Sequence, residues 1–125
     1  MVCDTASVLI VEDEAFVAWD LSQAIELSGK AVVGPASTLS VGLSLVDDAH
    51  VCAAVLDINL GEETVWPLAD SLQERGIPFG FVSANLRHPE LEGRFSSAPK
   101  LSKPVRERDL LSMVDELIVL SSCRA

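Results

Sequence analysis

The sequence predicts an α/β fold, a doubly wound parallel sheet of five strands with helices on both faces. Short β-branched apolar runs alternate with segments whose apolar residues recur at helical spacing. The runs are apolar at consecutive positions, which is typical of parallel strands buried on both faces. Acidic or polar residues follow several runs directly. In open α/β sheets the ligand site lies at this carboxyl edge.

The first three predicted elements are a strand over residues 7–12, a helix over residues 14–28 and a strand over residues 31–34. The helix shows apolar residues on one face, and Gly29 supplies a residue suited to ending it. The Gly34-Pro dipeptide is expected to close the second strand, because proline cannot donate a ladder hydrogen bond.

The next predicted helix begins after Ser37 or Thr38, since either hydroxyl can cap the first turn. Gly42 lies within this helix and should lower its helix propensity. Residues 51–56 form the third predicted strand, which delivers Asp57 to the carboxyl edge of the sheet.

Thr64 is a candidate cap for the third helix, and Pro67 is compatible with its first turn. We expect this helix to end at Gly76 and the fourth strand to cover residues 77–82. Gly80 inside that strand indicates a neighbour that packs closely against the backbone.

Residues 85–99 are polar and irregular, with at most a short helix over residues 89–95. A weak fifth strand over residues 99–101 and a clear amphipathic helix over residues 105–121 complete the chain. We therefore expect a single domain over residues 1–125.

Composition excludes several classes of function. The net charge of −10 argues against non-specific nucleic-acid binding, which needs clustered Lys and Arg. No apolar run approaches the roughly 20 residues that cross a bilayer, and the N-terminus lacks a secretory pattern. We expect a cytoplasmic protein with no membrane partner.

Three irregularly spaced cysteines predict neither a disulfide framework nor a zinc site. The two tryptophans, Trp19 and Trp66, are expected to be partly exposed.

Five chemically distinctive residues lie at or just past the ends of apolar runs: Glu12, Asp13, Asp57, Ser83 and Lys103. Two carboxylates about 4 Å apart repel by roughly 4 kcal/mol at an effective dielectric near 20, so three together call for a cation. An all-oxygen site of this kind suits Mg²⁺, and Mn²⁺ is an alternative.

These residue types are suited to phosphoryl transfer. The Asp57 carboxylate can attack phosphorus and form an acyl phosphate. Mg²⁺ on Asp13 and Asp57, with Glu12 reaching it through water, would neutralise phosphoryl oxygens. Lys103 would pair with another oxygen, and the Ser83 hydroxyl would donate a hydrogen bond to the product.

Four motifs, in order and at these spacings, resemble the receiver domain of two-component response regulators over essentially the whole chain. They are Val-Leu-Ile-Val-Glu12-Asp13-Glu14, Val-Leu-Asp57-Ile-Asn59-Leu, Ser83-Ala84 and Lys103-Pro104. The resemblance implies a flavodoxin-like (βα)5 fold with strand order 2-1-3-4-5. It also implies that Asp57 is the phosphoacceptor, that the backbone carbonyl of Asn59 joins the metal ligands, and that Ser83, Ala84 and Lys103 bind phosphate and act in the switch.

A narrower resemblance is to the alphaproteobacterial single-domain receivers called the FAT GUY group. It rests on Gly34-Pro35-Ala36, Asp57-Ile-Asn-Leu-Gly-Glu-Glu63 and Gly76-Ile-Pro-Phe-Gly-Phe-Val-Ser83. It implies a sensor histidine kinase of the HWE or a related type, or a phosphotransfer protein, as the partner. The chain departs from the group where Ser83-Ala84-Asn85 replaces Thr-Gly-Tyr.

Another departure concerns the output route. Many receivers carry a rotating aromatic residue three positions before the active-site lysine, and here that position is Lys100. We therefore expect residues 85–99 to carry the signal, by ordering when Ser83 is drawn toward phosphate. Asn59 and Asn85 flank the expected phosphoryl site and are candidates for tuning dephosphorylation.

The predicted function is a stand-alone response regulator with no output domain, which switches conformation to regulate a downstream protein or to drain phosphate from a kinase. Apart from its own phosphorylation and dephosphorylation it is not expected to be an enzyme.

One alternative is a pseudo-receiver that only binds partners. Another is a haloacid-dehalogenase-type phosphatase, which is disfavoured because Asn59 replaces the second aspartate. A nucleotide-binding Rossmann domain would need a Gly-x-Gly-x-x-Gly motif, which is missing after the first strand.

Overall fold

The structure is a computed structural model that describes residues 6–121 of the chain. The strands are β1 (Ser7–Val11), β2 (Ala31–Ala36), β3 (Ala53–Leu56), β4 (Asn59–Leu60), β5 (Glu63–Thr64), β6 (Phe79–Ser83) and β7 (Lys100–Ser102). The helices are α1 (Ala15–Leu27), α2 (Leu39–Asp48), α3 (Trp66–Glu74), α4 (Pro89–Glu92) and α5 (Glu107–Leu120). None of these helices is both long enough and apolar enough to span a membrane.

Five strands form one parallel sheet in the order β2-β1-β3-β6-β7. The order predicted for the five sheet strands is confirmed. The numbering differs because β4 and β5 form a separate antiparallel hairpin in the connection after β3. Sequence periodicity did not indicate this hairpin, since each of its strands has only two residues.

The sheet has an apolar layer on each face, as expected for a doubly wound fold. The β1 residues alternate between the layers, with Leu9 and Val11 on one side and Val8 and Ile10 on the other. Helices α2 and α3 cover the first layer together with the segment that contains α4, and helices α1 and α5 cover the second. This double covering explains why β1 and β3 are apolar at consecutive positions.

Two local predictions are wrong and two are confirmed. Strand β2 continues through Gly34 to Ala36, with a register irregularity against β1, and Gly34 has a φ of +92° that favours glycine. Thr64 does not cap α3, because it belongs to β5, and Val65 takes the cap position without a side-chain bond. Thr38 does cap α2, by accepting a hydrogen bond from the Val41 amide. Pro67 lies in the first turn of α3, as expected.

The two tryptophans have different environments. Trp66 is 9% exposed and belongs to the first layer, so the expectation of partial exposure is wrong for it. Trp19 is 60% exposed, and it shares the outer face of α1 with Phe16 and Leu27. We call Phe16, Trp19 and Leu27 the α1 stripe.

Cys52 is buried and disulfide-bonded, contrary to the expectation from cysteine spacing. The other two cysteines, Cys3 and Cys123, lie outside the described residues.

Gly80 of β6 packs closely against Met113 of α5. A Cβ added there would lie 2.6 Å from the Met113 sulfur and 3.2 Å from the Pro99 carbonyl oxygen. Real Cβ atoms do not approach other atoms at the first of these distances, so the predicted close packing at this glycine is confirmed.

We expect Gly80→Ala to lower the free energy of unfolding by about 1–3 kcal/mol, because the new methyl group overpacks the α5 side of the sheet. Urea unfolding measures the loss. In a Met113→Ala background the same substitution should cost about 1 kcal/mol less, because the sulfur is gone. An equal cost in both backgrounds would show that contact with Met113 is not the cause.

Candidate functional site

The carboxyl edge of the sheet brings the predicted residues together. Glu12 follows β1, Asp57 follows β3, Ser83 ends β6 and Lys103 follows β7. Backbone bonds fix these ends: the Asp57 amide donates to Val11 at 2.8 Å, and the Lys103 amide donates to Ser83 at 3.0 Å. A pocket of about 220 Å³ opens at this edge. It is lined by Asp13, Glu14, Asp57, Asn59, Ser83, Ala84 and Lys103.

Lys103 is the centre of charge pairing in this pocket. Its Nζ lies 2.7 Å from Glu12 Oε1, 3.2 Å from Asp57 Oδ2 and 3.5 Å from Glu14 Oε1. The contact with Asp57 is also a hydrogen bond, whereas the shorter contact with Glu12 is an ion pair without good hydrogen-bond direction. The Lys103 side chain is only 14% exposed. The ammonium is therefore held among acids rather than extended into solvent.

Glu12 lies behind the pocket and does not line it. The residue is 1% exposed, and its Oε2 accepts a hydrogen bond from the Glu14 amide at 3.1 Å. Burial raises the pKa of the Glu12 carboxyl to about 7, with a contribution from the Asp57 carboxylate, although Lys103 and the Glu14 amide act in the opposite direction. Burial alone would lower the pKa of Lys103, but Glu12 and Asp57 outweigh it and raise that pKa.

The acidic residues fit a divalent cation. One carboxylate oxygen from each of Glu12, Asp13 and Asp57 lies within 4.8 Å of the others. Asp13 is the exposed member of this group, and its Oδ2 accepts a hydrogen bond from the Gly61 amide at 2.9 Å. Hard carboxylate oxygens at a water-accessible edge match the ligand preference of Mg²⁺.

Sequence reasoning assigned no role to two contributors to this edge. Glu14 lines the pocket and contacts Lys103, and the signal for it was the third acid in the Glu12-Asp13-Glu14 run. Gly61 holds Asp13 from the β4–β5 hairpin. Its role follows from the fold of the hairpin, which the sequence did not indicate.

Asn85 does not line the pocket, although Ala84 and Asn59 do. The Asn85 side chain is exposed, and its Oδ1 accepts a hydrogen bond from the Arg87 amide at 2.9 Å. This local turn holds Asn85 within its own loop. Of the two residues named for tuning dephosphorylation, Asn59 is the one at the pocket.

Together these residues can position an anionic group. Asp57 supplies a buried carboxylate, one oxygen of which accepts a hydrogen bond from the Lys103 ammonium. Asp13 supplies a second, exposed carboxylate that could bind a cation. Ser83 adds a hydroxyl that is 1% exposed at the end of β6. A carboxylate nucleophile, a cation site, an ammonium and a hydroxyl donor are the components that phosphoryl transfer to a carboxylate needs.

No protein-family model matches the sequence, and no curated protein matches it. Solved structures do match its fold. A response regulator receiver domain protein (CheY-like) from Methanospirillum hungatei JF-1 superposes with a TM-score of 0.84 at 22% identity, over 93% of this chain and 95% of that chain. A response regulator receiver protein from Sinorhizobium medicae WSM419 gives a TM-score of 0.81 at 20% identity, over 93% and 96% of the two chains.

The signal receiver domain of a modulated diguanylate cyclase from Desulfovibrio desulfuricans G20 gives a TM-score of 0.82 at 24% identity, over 93% of this chain and 95% of that chain. These neighbours show that the chain has the CheY-like, flavodoxin-type fold of receiver domains. The narrower resemblance to the FAT GUY group stays a prediction.

We expect Lys103→Met to lower the free energy of unfolding by about 3 kcal/mol in the presence of a chelator, because it leaves Glu12 and Asp57 buried without a counter-charge. Urea unfolding at neutral pH measures the effect. Adding Glu12→Gln to Lys103→Met should recover part of the loss, since it removes one unpaired acid.

Lys30→Met is the matched control. Lys30 pairs with Asp115 at 2.8 Å, but the Asp115 side chain is 65% exposed, so the loss should be about 0–1 kcal/mol. Equal losses for the two lysine variants would contradict the role given to Lys103.

Proposed function

We propose that this protein is a phosphoacceptor receiver: it takes a phosphoryl group onto Asp57 from a phosphohistidine of a sensor histidine kinase or a phosphotransfer protein. One observation carries the proposal. Asp57 ends a buried strand at a pocket that also contains Asp13, Ser83 and Lys103, with the Lys103 ammonium 3.2 Å from the Asp57 carboxylate. The receiver fold of the structural neighbours supports the same function.

The proposed reaction forms one bond and breaks one. A carboxylate oxygen of Asp57 attacks phosphorus, the bond from phosphorus to the histidine nitrogen breaks, and the imidazole leaves with the bonding electrons. The product is an acyl phosphate on Asp57. Lys103 is already placed at this carboxylate, so its charge is available to a phosphoryl oxygen without a large movement of the chain.

Asp13, Asp57 and the backbone carbonyl of Asn59 are the groups that would hold Mg²⁺, and Mn²⁺ could replace it. When bound, the ion would neutralise charge on the phosphoryl oxygens. Glu12 Oε1 forms an ion pair with Lys103, and Glu12 Oε2 accepts a hydrogen bond from the Glu14 amide. Glu12 therefore holds Lys103 in place. Participation of Glu12 through water stays a prediction.

Ser83 and Ala84 are the groups proposed to contact the product phosphate, because both line the pocket at the end of β6. Phosphorylation would then shift the protein between two conformations and change its affinity for a downstream protein. Binding of the phosphoryl group can bias these states only through contacts that differ between them. We propose no turnover of other substrates.

Incubation with acetyl phosphate and Mg²⁺ tests the phosphoacceptor. We expect intact-mass analysis to show the gain of one phosphoryl group on the unaltered protein and none on Asp57→Asn, whose side chain cannot form the acyl phosphate. Asp20→Asn, which changes an exposed acid on α1, is the control and should still be modified.

An unmodified wild-type protein would contradict the proposal and favour a pseudo-receiver. Steady hydrolysis of p-nitrophenyl phosphate would instead favour the phosphatase alternative.

Asp13→Asn should weaken Mg²⁺ binding about tenfold or more, because it removes one charged oxygen ligand. Titration calorimetry with MgCl₂ measures the affinity. Glu62→Gln removes an exposed charge from the nearby hairpin and serves as the control for long-range attraction. Matching losses in the two variants would mean that Asp13 acts only as a distant charge and would remove it from the ligand set.

A further inference from the structure

A buried group of aromatic rings lies in the first layer of the sheet. Trp66 stacks on Phe95, with ring centroids 5.7 Å apart and an interplanar angle of 13°. Phe81 meets Trp66 edge-on at 5.7 Å and Phe95 at 5.9 Å. We call Trp66, Phe81 and Phe95 the aromatic cluster. Its members come from α3, β6 and the turn after α4, so it joins three separate elements.

The cluster is connected to the pocket through β6. Side chains two residues apart on a strand point to the same face, so Ser83 and Phe81 share one face of β6. Ser83 lines the pocket, and Phe81 lies in the cluster. A movement of the end of β6 at Ser83 therefore acts on Phe81, and tightly packed interiors transmit such movements.

The cluster is connected to α4 through Phe95. This residue is 1% exposed, and its amide donates to the Glu90 carbonyl of α4 at 3.0 Å. The neighbouring guanidinium of Arg94 lies 4.8 Å from the Phe95 ring centroid and pairs with Asp70 of α3 at 3.0 Å. Residues 85–99 are thus anchored in the core by Phe95, and the predicted short helix in this irregular stretch is present as α4.

Lys100 holds the other side of the same turn. Its Nζ donates to the carbonyl of Ala98 at 2.6 Å and to that of Ser96 at 3.2 Å. The side chain at this position is therefore committed to the turn that contains Phe95. The cluster, and not residue 100, supplies the aromatic contact between the sheet and this turn.

The start of α4 contacts the aromatic cluster through His88. His88 is the residue before α4, and its ring lies 5.5 Å from Trp66 at 70°. The His88 Nε2 atom is buried and has no hydrogen-bond partner among residues 6–121. A buried polar atom without a hydrogen-bond partner is unfavourable. A change of packing at Trp66 would therefore break no hydrogen bond of the His88 Nε2 atom.

We infer that the aromatic cluster couples the state of the pocket to α4 and to the turn after it, an inference that rests on the proposed function. Phosphorylation draws Ser83 toward a phosphoryl oxygen and moves the end of β6. Phe81 then repacks against Trp66 and Phe95, and Phe95 moves α4 and residues 93–98 with it. The bistable element is the packing of these three rings.

The test uses the full chain with Trp19→Phe, which leaves Trp66 as the only tryptophan of the two in the sequence. Acetyl phosphate and Mg²⁺ are added, and three quantities are followed: intact mass, tryptophan emission and amide exchange of residues 85–98. We expect the emission and the exchange to change in proportion to the phosphorylated fraction.

Phe95→Leu in the same background should lose both changes while the gain in mass remains. Phe95→Met, whose flexible unbranched side chain fills irregular core space without a ring, repeats the measurement if the leucine variant unfolds. Phe79→Leu is the matched control: Phe79 contacts Phe81 and Phe95 edge-on but has no ring contact with Trp66. It should retain both changes.

Phosphorylation without a change at Trp66, or identical responses with and without the Phe95 ring, would overturn the coupling and leave the phosphoacceptor proposal intact. Loss of the responses in Phe79→Leu to the same extent as in Phe95→Leu would also overturn it, because the effect would then not be specific to the Trp66 contact. Absence of any gain in mass would overturn both proposals.

Discussion

The contact of Lys103 with three acids is the interaction on which the rest of the site depends. Glu12 and Asp57 are buried beside each other at the ends of neighbouring strands, and without a cation their repulsion would oppose the closure of the sheet at this edge. The Lys103 ammonium supplies the missing charge from the residue that follows β7, and β7 lies on the other side of β6 from β3. The same contact holds the Asp57 carboxylate and the Lys103 ammonium next to each other.

The part of the site that the sequence could predict is the set of reactive side chains at the ends of the strands. Asp57 and Lys103 each follow an apolar run, and the carboxyl ends of parallel strands must meet, so their proximity follows from the fold class alone. The order of the strands came from the resemblance to receivers. The reach of Glu14 to Lys103 could not be predicted, because it depends on a side-chain direction at the start of α1.

Tertiary packing explains the other failures of sequence reasoning. Phe95 lies in a polar stretch and reads as part of a loop, yet it is buried because Trp66 and Phe81 provide a surface for its ring. Trp66 was expected to be partly exposed for the same reason, since nothing near it in sequence shows what will cover it. Two-residue strands such as β4 have no periodicity to detect, so the hairpin that holds Asp13 was missed.

The α1 stripe has a consequence for how molecules of this protein behave toward one another. Phe16 is 88% exposed and Leu27 is 81% exposed, on a helix that carries no basic residue. The net charge of −10 keeps such surfaces apart by mutual repulsion. That repulsion reaches only about 8 Å at physiological ionic strength and less in concentrated salt. Raising the ionic strength therefore weakens the repulsion that keeps the α1 stripes of two molecules apart.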